Sequence, residues 1–358
     1  MPASDTDTSD LISARLRRPT VHDVARKSEV SIATVSRAFN APHRVREDVR
    51  RRVLEAAEEL GYSANPAAKA LRSQRTRVIG TIVPTLDNTV FARMANAVQT
   101  ASSSAGYLGF LQTTQFDNSD LFHHVKLMVD RGAEGLLITG RLDDEQVLDF
   151  ITEKNIPTIT MYSYLEDSPI PSIGFDNYKA TARLLQYVLS LGHSRVAMIS
   201  GTSRWNDRQA TRLLAFRDTM TAAGHVPRVY ELDRPYSNAD GGQMIARILD
   251  EAADTTAVLC TSDVLALGVL SECRRRGISV PDDLSVTGFD DFDQAPLLDP
   301  PLTTISTPIG EIGTRAVQAL IAGLEHGRKM LPLRLETSLI VRGSTSPPAN
   351  GKRLRAGS

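Results

Sequence analysis

The chain has 358 residues, of which 41% are apolar and 23% are charged, and its formal net charge is −1 at pH 7. This length exceeds what one hydrophobic core usually supports, so we expect a globular protein of at least two domains. No apolar run approaches the roughly 18 residues that cross a bilayer, and the first residues lack the apolar centre of a secretion signal, so we expect neither a membrane protein nor an exported one. We therefore predict a cytoplasmic protein.

The two parts of the chain differ in charge. Residues 1–77 hold 15 Lys and Arg against 10 Asp and Glu, a net of +5, whereas the remainder holds 26 against 32, a net of −6. A basic head on an acidic body suggests nucleic-acid binding, although a basic solvated surface is about as common. Charge alone therefore leaves both interpretations open.

An N-terminal arm, residues 1–18, is expected to be disordered, and helical patterns begin directly after it. Thr20 and Asp23 form a capping-box pattern at the start of a short first helix. Residues 28–30 then predict a tight turn.

Two further helices follow this turn. Ser31 can cap a second helix that ends near Asn40, and a third runs from Arg46 to Leu60, where Gly61 ends it. A short helix, a tight turn and a second helix predict a helix-turn-helix domain at residues 19–63.

The second helix has an unusual polar face. Ile32, Ala33, Ser36 and Arg37 share one side of a helix begun at Ser31, and small groups around one arginine suit close approach to another molecule. Short hydroxyls can hold phosphate oxygens, Ile32 and Ala33 can touch thymine methyl groups, and Arg37 can form a bidentate bond with guanine. A face that reads the major groove and an ordinary core helix remain about equally consistent with this segment alone.

Residues 64–77 are predicted to be a hinge helix and linker. Asn65 and Pro66 favour a helix start, but the helix is too short to be stable in water, and Leu71 lies among cations with little to bury it. One interpretation is a flexible linker with an incidental leucine. The other is a helix that orders against DNA and inserts Leu71 between base steps of the minor groove.

From Val78 onward, short apolar runs alternate with helical segments, which predicts parallel sheets wound by right-handed crossovers. This length is too great for one sheet, so we expect an α/β body, residues 78–343, of two doubly wound lobes with a ligand cleft at the strands' carboxyl ends. A disordered tail, residues 344–358, is expected to follow. The predicted strands, each expected to be buried on both faces, are VIGTIVP, YLGFLQTT, EGLLITG, PTITMY, RVAMISG, TAVLCTS and LSVTGFD. The predicted helices include residues 91–105, 178–191, 212–223 and 264–276.

No metal or cofactor is predicted. The only cysteines, Cys260 and Cys273, form neither a CxxC pair nor a disulfide framework and are expected to be buried thiols. His123 and His124 are adjacent, and neighbouring side chains on a helix point in different directions, so a shared metal is not expected.

The chain closely resembles the LacI/GalR (lac repressor) family of transcription regulators from Thr20 to about Gly343. The resemblance implies a homodimer with a helix-turn-helix head, a hinge helix that forms on operator binding, and a body like a periplasmic sugar-binding protein. Repression is the family's common mode, and the tail has no heptad that would favour a tetramer over a dimer. The motifs that carry the resemblance are TVHDVARKSEVSIATVSRAFN, LGYSANPAAKALRS, LGHSRVAMISG, TSDVLALG, SVTGFDD and PPLTTI, in the family's order.

The resemblance implies a set of DNA-binding residues. Glu29 departs from the family, which usually has glycine in the turn, and it places a β-carbon where backbone freedom is common. By position, Ile32, Ala33 and Arg37 take the base-reading places, Leu71 is the wedge, and the other predicted DNA contacts are Thr20, Ser31, Thr34, Ser36, Asn40, Arg44, Asn65 and Ala68.

The resemblance also implies an effector site in the cleft. Asp290 follows an apolar strand, where it would otherwise be interpreted as a loop or capping carboxylate. Trp205 and Tyr236 lie in loops near the cleft opening and could stack on a sugar ring. By position, the effector-binding set is Phe91, Tyr162, Arg212, Tyr236, Ser262, Asp290 and Ile309.

The class of effector stays open at this point. The stretch SIGFDNYKA is similar to the gluconate-repressor branch of the family, which would suit Arg212 holding a carboxylate bidentately. We therefore predict a sugar or a sugar acid, with a purine or nucleoside as the alternative.

Two other classes of protein compete with a regulator. An enzyme is disfavoured because the sequence lacks GxxxxGK[ST], GxGxxG after the first strand, GxSxG and HExxH motifs. A transport-type binding protein would share the two lobes but would need export, and the basic head argues against it. The sequence thus predicts a DNA-binding transcriptional regulator, a repressor in the family's common mode, with near-palindromic operator DNA and a small molecule as partners.

Overall fold

The computed structural model describes residues 19–63 and 75–349 of the chain. These residues belong to two compact units, Met1–Thr76, called the head, and Arg77–Ser358, called the body. Within the described ranges, we find no helix whose length and apolar character would let it span a membrane.

Residues 19–63 of the head form three α-helices and one 3₁₀ turn, and the caps predicted at Thr20, Ser31 and Gly61 are confirmed. The backbone N–H and hydroxyl of Thr20 both donate to Asp23 Oδ2, at 2.9 and 2.7 Å. The hydroxyl of Ser31 accepts a hydrogen bond from the backbone N–H of Thr34 at 3.2 Å, and Gly61 ends the last helix with φ +64°. The elements are α1 (Val21–Lys27), α2 (Ile32–Asn40), the 3₁₀ turn Pro42–Arg44 and α3 (Glu47–Leu60).

A small apolar core holds the three helices together. Val24 of α1, Val35 of α2 and Val53 of α3 are all fully buried. Phe39 and Tyr62 add an edge-on ring contact with centroids 5.9 Å apart. Because α2 buries Val35 and Ala38, its opposite face is left for solvent or a partner.

The turn between α1 and α2 is strained at Glu29, which holds a left-handed φ of +54°. A side chain with a Cβ is disfavoured there by about 1 to 2 kcal/mol. Glu29→Gly is therefore expected to stabilise the head by about 0.5 to 1 kcal/mol, after the larger unfolded-state entropy of glycine is subtracted. Slower hydrogen exchange of α1 and α2 amides in the full chain would measure this gain. Glu29→Ala keeps the Cβ and should give no gain, and an equal gain from alanine would assign the effect to charge instead.

The body contains two parallel sheets, as predicted. The strands are β1 (Val78–Val83), β2 (Leu108–Thr113), β3 (Ala133–Thr139), β4 (Thr158–Ser163), β5 (Ser172–Phe175), β6 (Val196–Ser200), β7 (Arg228–Glu231), β8 (Ala257–Cys260), β9 (Ser285–Thr287), β10 (Thr304–Ser306), β11 (Leu333–Arg334) and β12 (Ser338–Ile340). The first sheet has six strands in the order β11-β5-β4-β3-β1-β2, the second has four in the order β7-β6-β8-β9, and β10 and β12 form an antiparallel pair. The helices are α4 (Thr89–Ser104), α5 (Leu121–Asp130), α6 (Glu145–Glu153), α7 (Asn177–Ser190), α8 (Asp207–Ala222), α9 (Asn238–Glu251), α10 (Asp263–Arg275) and α11 (Ile309–His326).

The chain crosses between the sheets more than once. It leaves the first sheet after β5, completes the second sheet, and returns through β10 and α11 to add β11 to the first. Repeated crossing places strand ends from both sheets around one cleft.

Strand β2 corrects one expectation. It lies at the edge of the first sheet, and none of its residues is fully buried. Leu108 and Leu111 are 57% and 43% exposed. An apolar run therefore predicted this strand correctly but not its burial, because the run does not say whether a neighbouring strand follows.

The predicted start of the disordered tail, at Ser344, is too early in the chain. Ser344 is fully buried, and its hydroxyl donates to the carbonyl of Val286 at 2.6 Å. The backbone N–H of Thr303 donates to the same hydroxyl at 2.8 Å. The boundary at Ser344 is thus wrong, since this serine bridges β9 and the segment before β10.

The two cysteines are buried and unpaired, as the sequence predicted. Burial raises the pKa of Cys273 to about 12, so its thiol stays protonated. Both thiols belong to the apolar core of the second sheet.

Candidate DNA-binding face and ligand cleft

Most of the predicted DNA-binding residues of the head lie in α2 or at its N-cap, whereas Thr20 caps α1 and Arg44 lies in the 3₁₀ turn. Ile32 is 42% exposed although it is apolar. Ser31, Ala33, Arg37, Asn40 and Arg44 are exposed, and Thr20, Thr34 and Ser36 are half-buried. The structure thus brings the predicted face together on the side away from Val35 and Ala38.

The guanidinium of Arg37 forms no ion pair with the described residues of the head. Arg26, Lys27, Arg46, Arg50 and Arg51 form ion pairs within the head. Among residues 19–63, Arg37, Arg44 and Arg52 are the lysine or arginine residues that do not. A free guanidinium among small side chains is available to phosphate or to a base edge.

Asn40 is folded back onto its own helix. Its Nδ2 donates to the carbonyl oxygen of Ser36 at 2.7 Å. The remaining predicted DNA contacts, Asn65, Ala68 and Leu71, lie outside the described residues.

A cleft in the body collects the carboxyl ends of strands from both sheets. Tyr162 is near the end of β4, Ser262 follows β8 and Asp290 follows β9. Six of the non-glycine residues with positive φ lie here, which marks a strained region of backbone: Gln115, Phe116, Tyr162, Trp205, Asp290 and Asp291.

Three predicted effector residues form what we call the inner triad, Tyr162, Arg212 and Asp290. The Tyr162 hydroxyl donates to Asp290 Oδ1 at 2.6 Å and accepts from Arg212 Nη2 at 2.9 Å. Arg212 Nη2 lies 3.8 Å from Asp290 Oδ1, and the Arg212 side chain is only 2% exposed.

Every nitrogen of the Arg212 guanidinium has a partner within the protein. Nε donates to Asn177 Oδ1 at 2.9 Å, and Nη1 donates to the carbonyl oxygen of Thr261 at 2.6 Å. The guanidinium also stacks on Phe289, 3.6 Å from the ring centroid. Three of its five N–H groups are thus engaged within the protein, and the suggestion that Arg212 holds a ligand carboxylate bidentately stays a prediction.

Burial sets the protonation of the inner triad. Desolvation raises the pKa of Tyr162 well above its ordinary value, against the opposing effect of Arg212. Desolvation also raises the pKa of Asp290, again partly offset by Arg212. Tyr162 therefore stays a proton donor, and Arg212 is the group that favours the Asp290 carboxylate.

A glycine permits the conformation of Tyr162. Tyr162 holds φ +83° within β4, and its register partner in β5 is Gly174. A Cβ at Gly174 would lie 2.2 Å from the Tyr162 carbonyl oxygen. Gly174 is thus needed by the backbone of the inner triad, not by a ligand.

The other predicted effector residues surround the triad. Phe91 and Tyr236 line a cavity of about 10 Å³ together with the triad. Ser262 and Ile309 line a neighbouring cavity of about 20 Å³, which Asp290 also borders. The structure therefore brings all seven predicted residues together around Asp290.

A larger space, which we call the outer cavity, adjoins this region. Its volume is about 810 Å³. Sequence reasoning noted Trp205 but missed Phe116, Asp207 and Arg208. Arg208 had a usable signal, since it precedes Arg212 by four residues and so shares its helix face. Residues that line the outer cavity include Pro84, Phe116, Thr139, Trp205, Asp207 and Arg208.

Comparison with known families assigns both units. Residues 20–65 match the family described as "Bacterial regulatory proteins, lacI family". Residues 185–345 match a "Periplasmic binding protein-like domain".

Similar proteins extend over nearly the whole chain. The HTH-type transcriptional repressor CytR of Escherichia coli K12 is 32% identical over 330 residues, which cover 91% of this chain and 96% of that protein. The chain belongs to the LacI family. The HTH-type transcriptional regulator GntR of the same strain is 30% identical over 324 residues, covering 88% of this chain and 96% of that protein.

The lac repressor dimer bound to operator and the anti-inducer ONPF has a similar structure. It superposes with a TM-score of 0.83 at 26% sequence identity, covering 92% of this chain and all of that one. This LacI-family protein is therefore a DNA-binding transcriptional regulator with a periplasmic-binding-protein-like ligand domain. The enzyme alternative finds no support, because these relatives are named as regulators.

Proposed function

We propose that this LacI-family protein is a cytoplasmic homodimeric repressor that binds a near-palindromic operator and changes its DNA affinity when a small effector occupies the cleft. The observation that carries this proposal is the α2 face, where Arg37, which forms no ion pair among the described residues of the head, lies among small exposed side chains beside the apolar Ile32. This combination suits bidentate contact with guanine and apolar contact with thymine. Similarity to CytR, named as a repressor, supports the same direction of control.

The proposed DNA contacts on the described residues follow from this face. Ile32, Ala33 and Arg37 contact base edges, and the hydroxyls of Ser31, Thr34 and Ser36 border phosphates. The predicted hinge at residues 64–77, with Leu71 as the minor-groove wedge, completes the proposal and links cleft occupancy to the paired heads.

The proposed effector is a sugar-like molecule. The walls of the outer cavity combine Phe116 and Trp205 with the polar side chains of Asp207 and Arg208. An apolar surface with a few convergent polar groups is typical of small-molecule sites, and a volume of about 810 Å³ falls in their usual range.

DNA selection tests the proposed function. The full chain is expected to enrich a near-palindrome from a random duplex library and to bind it at least about 10³-fold more tightly than a scrambled duplex. Its affinity should fall steeply between about 50 and 200 mM salt, because phosphate contacts release counterions. A chain that enriches no sequence, and whose weak binding is equal on all duplexes, would contradict the proposal.

A further inference from the structure

Side chains from the two sheets of the body bond directly to one another across the cleft. We call the part of the body around the first sheet the first lobe and the part around the second sheet the second lobe. In the first lobe, Tyr162 and Ser163 are the last two residues of β4. In the second lobe, Asp207 begins α8 and Asp290 follows β9. Because ligand clefts of such folds form at the carboxyl ends of strands, these four residues are placed to meet there.

Two neighbouring hydroxyls of the first lobe donate to two carboxyl groups of the second. The Tyr162 hydroxyl donates to Asp290 Oδ1 at 2.6 Å. The Ser163 hydroxyl donates to Asp207 Oδ2, also at 2.6 Å. Both distances are those of well-formed O–H···O hydrogen bonds. One strand end of the first lobe thus holds two separate segments of the second lobe.

These bonds are buried between the lobes. Tyr162 is 2% exposed, Ser163 is 4% exposed and Asp290 is 9% exposed. The space beside the Tyr162–Asp290 bond is about 10 Å³, and one water molecule needs roughly 10 to 15 Å³. Water therefore has little room to replace either partner while the lobes are in contact. Separating the lobes leaves these polar groups unpaired until water enters, which opposes opening.

A glycine permits the close approach at the Ser163–Asp207 bond. A Cβ at Gly140, which follows β3 of the first lobe, would lie 2.6 Å from Asp207 Oδ1 and 2.3 Å from Arg208 Nη1. The same Arg208 nitrogen donates to Asp207 Oδ1 at 3.1 Å. Both oxygens of Asp207 are thus engaged, one by its own lobe and one by Ser163. A side chain at position 140 would push the start of α8 away from β4.

The backbone is strained on both sides of the Tyr162–Asp290 bond. Tyr162 holds φ +83° and Asp290 holds φ +106°. Residues with a Cβ rarely adopt these values, and such strain persists only where surrounding contacts maintain it. Opening the contact would release strain in both lobes. The open and closed arrangements are therefore closer in free energy than the two hydrogen bonds alone would make them.

A third contact between the lobes lies at the rim of the cleft. Arg93 Nη1 of α4 is 3.3 Å from Asp293 Oδ1, and the two side chains are 48% and 74% exposed. Exposed ion pairs contribute little to stability because water and salt screen them. Closure therefore depends mainly on the two buried hydroxyl bonds.

The buried contact separates two regions of the cleft. Residues of both lobes line the outer cavity of about 810 Å³, which includes Asp207 and Arg208 in its wall. Arg212 lies at the 10 Å³ cavity instead and is 2% exposed. A molecule in the outer cavity therefore meets Asp207 and Arg208 first. It can reach Arg212 only after the Tyr162–Asp290 bond breaks.

We propose that the Tyr162–Asp290 and Ser163–Asp207 bonds form an interlobe latch. The latch holds the two lobes together through the protein's own side chains, and it must open before another molecule can contact Arg212 and Asp290. The backbone strain on either side of it keeps the open arrangement accessible. This inference goes beyond the proposed function, because the latch is a property of the body and can be tested without DNA or an effector.

Two matched double variants of the full-length protein test the latch. Tyr162→Phe/Ser163→Ala removes both latch hydroxyls. The control, Tyr107→Phe/Ser104→Ala, also removes one tyrosine and one serine hydroxyl, but their bonds lie within the first lobe. Tyr107 donates to Glu325 of α11 at 3.3 Å, and Ser104 donates to a carbonyl of its own helix, α4, at 2.9 Å. Helix α11 packs against α4, so neither control bond crosses the cleft.

Hydrogen exchange of the second lobe is the readout, because neither double variant changes a residue there. In the latch variant, amides of residues 206–210 and 288–292 are expected to exchange at least about tenfold faster than in the wild type, since separated lobes expose them. Amides of β6 and β8, in the interior of the second sheet, should exchange at the wild-type rate. The control variant should match the wild type in all these segments.

Two results would overturn the latch. Exchange of residues 206–210 and 288–292 equal to that of the control would mean that packing alone holds the lobes together. Equal acceleration of β6 and β8 would mean that the substitutions destabilise the second lobe as a whole. A cooperative urea transition checks that each variant is folded. Should the double latch variant lack one, Ser163→Ala against Ser104→Ala decides the question, with exchange of residues 206–210 expected to be at least about threefold faster in Ser163→Ala.

Discussion

Replacing Arg212 with leucine is expected to lower the free energy of unfolding of the body by about 3 to 5 kcal/mol. The substitution leaves the Asp290 carboxylate buried without its cation and removes the bonds from Arg212 to Asn177, Thr261 and Tyr162. Urea unfolding followed by Trp205 emission measures this loss, since the only tryptophan lies in the body and does not report on the head.

The pH dependence of this variant gives an independent check. Burial raises the pKa of Asp290 in the folded protein, and loss of Arg212 removes the main influence that lowers it. A folded-state pKa above the unfolded value means that the folded state binds the extra proton, so stability falls as pH rises through the folded-state pKa. The deficit of Arg212→Leu relative to wild type should therefore be smaller at acid pH than at pH 8.

The matched control is Arg217→Leu, because Arg217 is exposed on the same helix. It should change the unfolding free energy by less than about 0.5 kcal/mol. A comparable loss in both variants, or a deficit in Arg212→Leu that does not vary with pH, would contradict the account of the triad.

Family position predicted which residues meet in the cleft but not what they do to one another. Tyr162, Arg212 and Asp290 come from three separate segments, and each motif could be recognised alone. The hydrogen bonds that join these three side chains have lengths of 2.6 and 2.9 Å, and no local sequence pattern encodes such distances. Arg208 could have been found from its four-residue spacing to Arg212, but its bond to Asp207 at 3.1 Å could not.

Local chemistry predicted the elements with strong signals. The capping box at Thr20 and Asp23 and the glycine end of α3 depend on a few neighbouring residues, so sequence was sufficient. Strands such as β7, β10 and β11 were not predicted, because they have only two to four residues and pair with strands distant in sequence. The edge position of β2 and the burial of Ser344 were not predicted for the same reason. Both depend on which segments of the folded chain pack beside them, and a local sequence pattern does not contain that information.

Replacing Arg37 with alanine is expected to relax operator preference at one base pair in each half-site, at a cost of about 1 to 3 kcal/mol per half-site. Arg37 is exposed on α2, forms no ion pair among the described head residues, and lies next to the small side chains of Ala33 and Ser36. A guanidinium in this setting reads guanine through two parallel hydrogen bonds, and alanine leaves that base unread. Affinities for the selected operator and for its single-base variants, measured at fixed salt, give the loss at each position.

Arg52→Ala is the matched control because Arg52 is an exposed arginine of α3 that also lacks an ion pair among the described head residues. Removing this charge should weaken binding to every duplex about equally and leave base preference unchanged, since any phosphate contact is independent of sequence. Arg37→Ala should instead lose affinity for the selected operator and little for variants already changed at the contacted base pair. Should Arg37→Ala behave like Arg52→Ala, with the same loss on all sequences and a reduced salt slope, then Arg37 holds a phosphate and the base-reading role falls to Ile32 and Ala33.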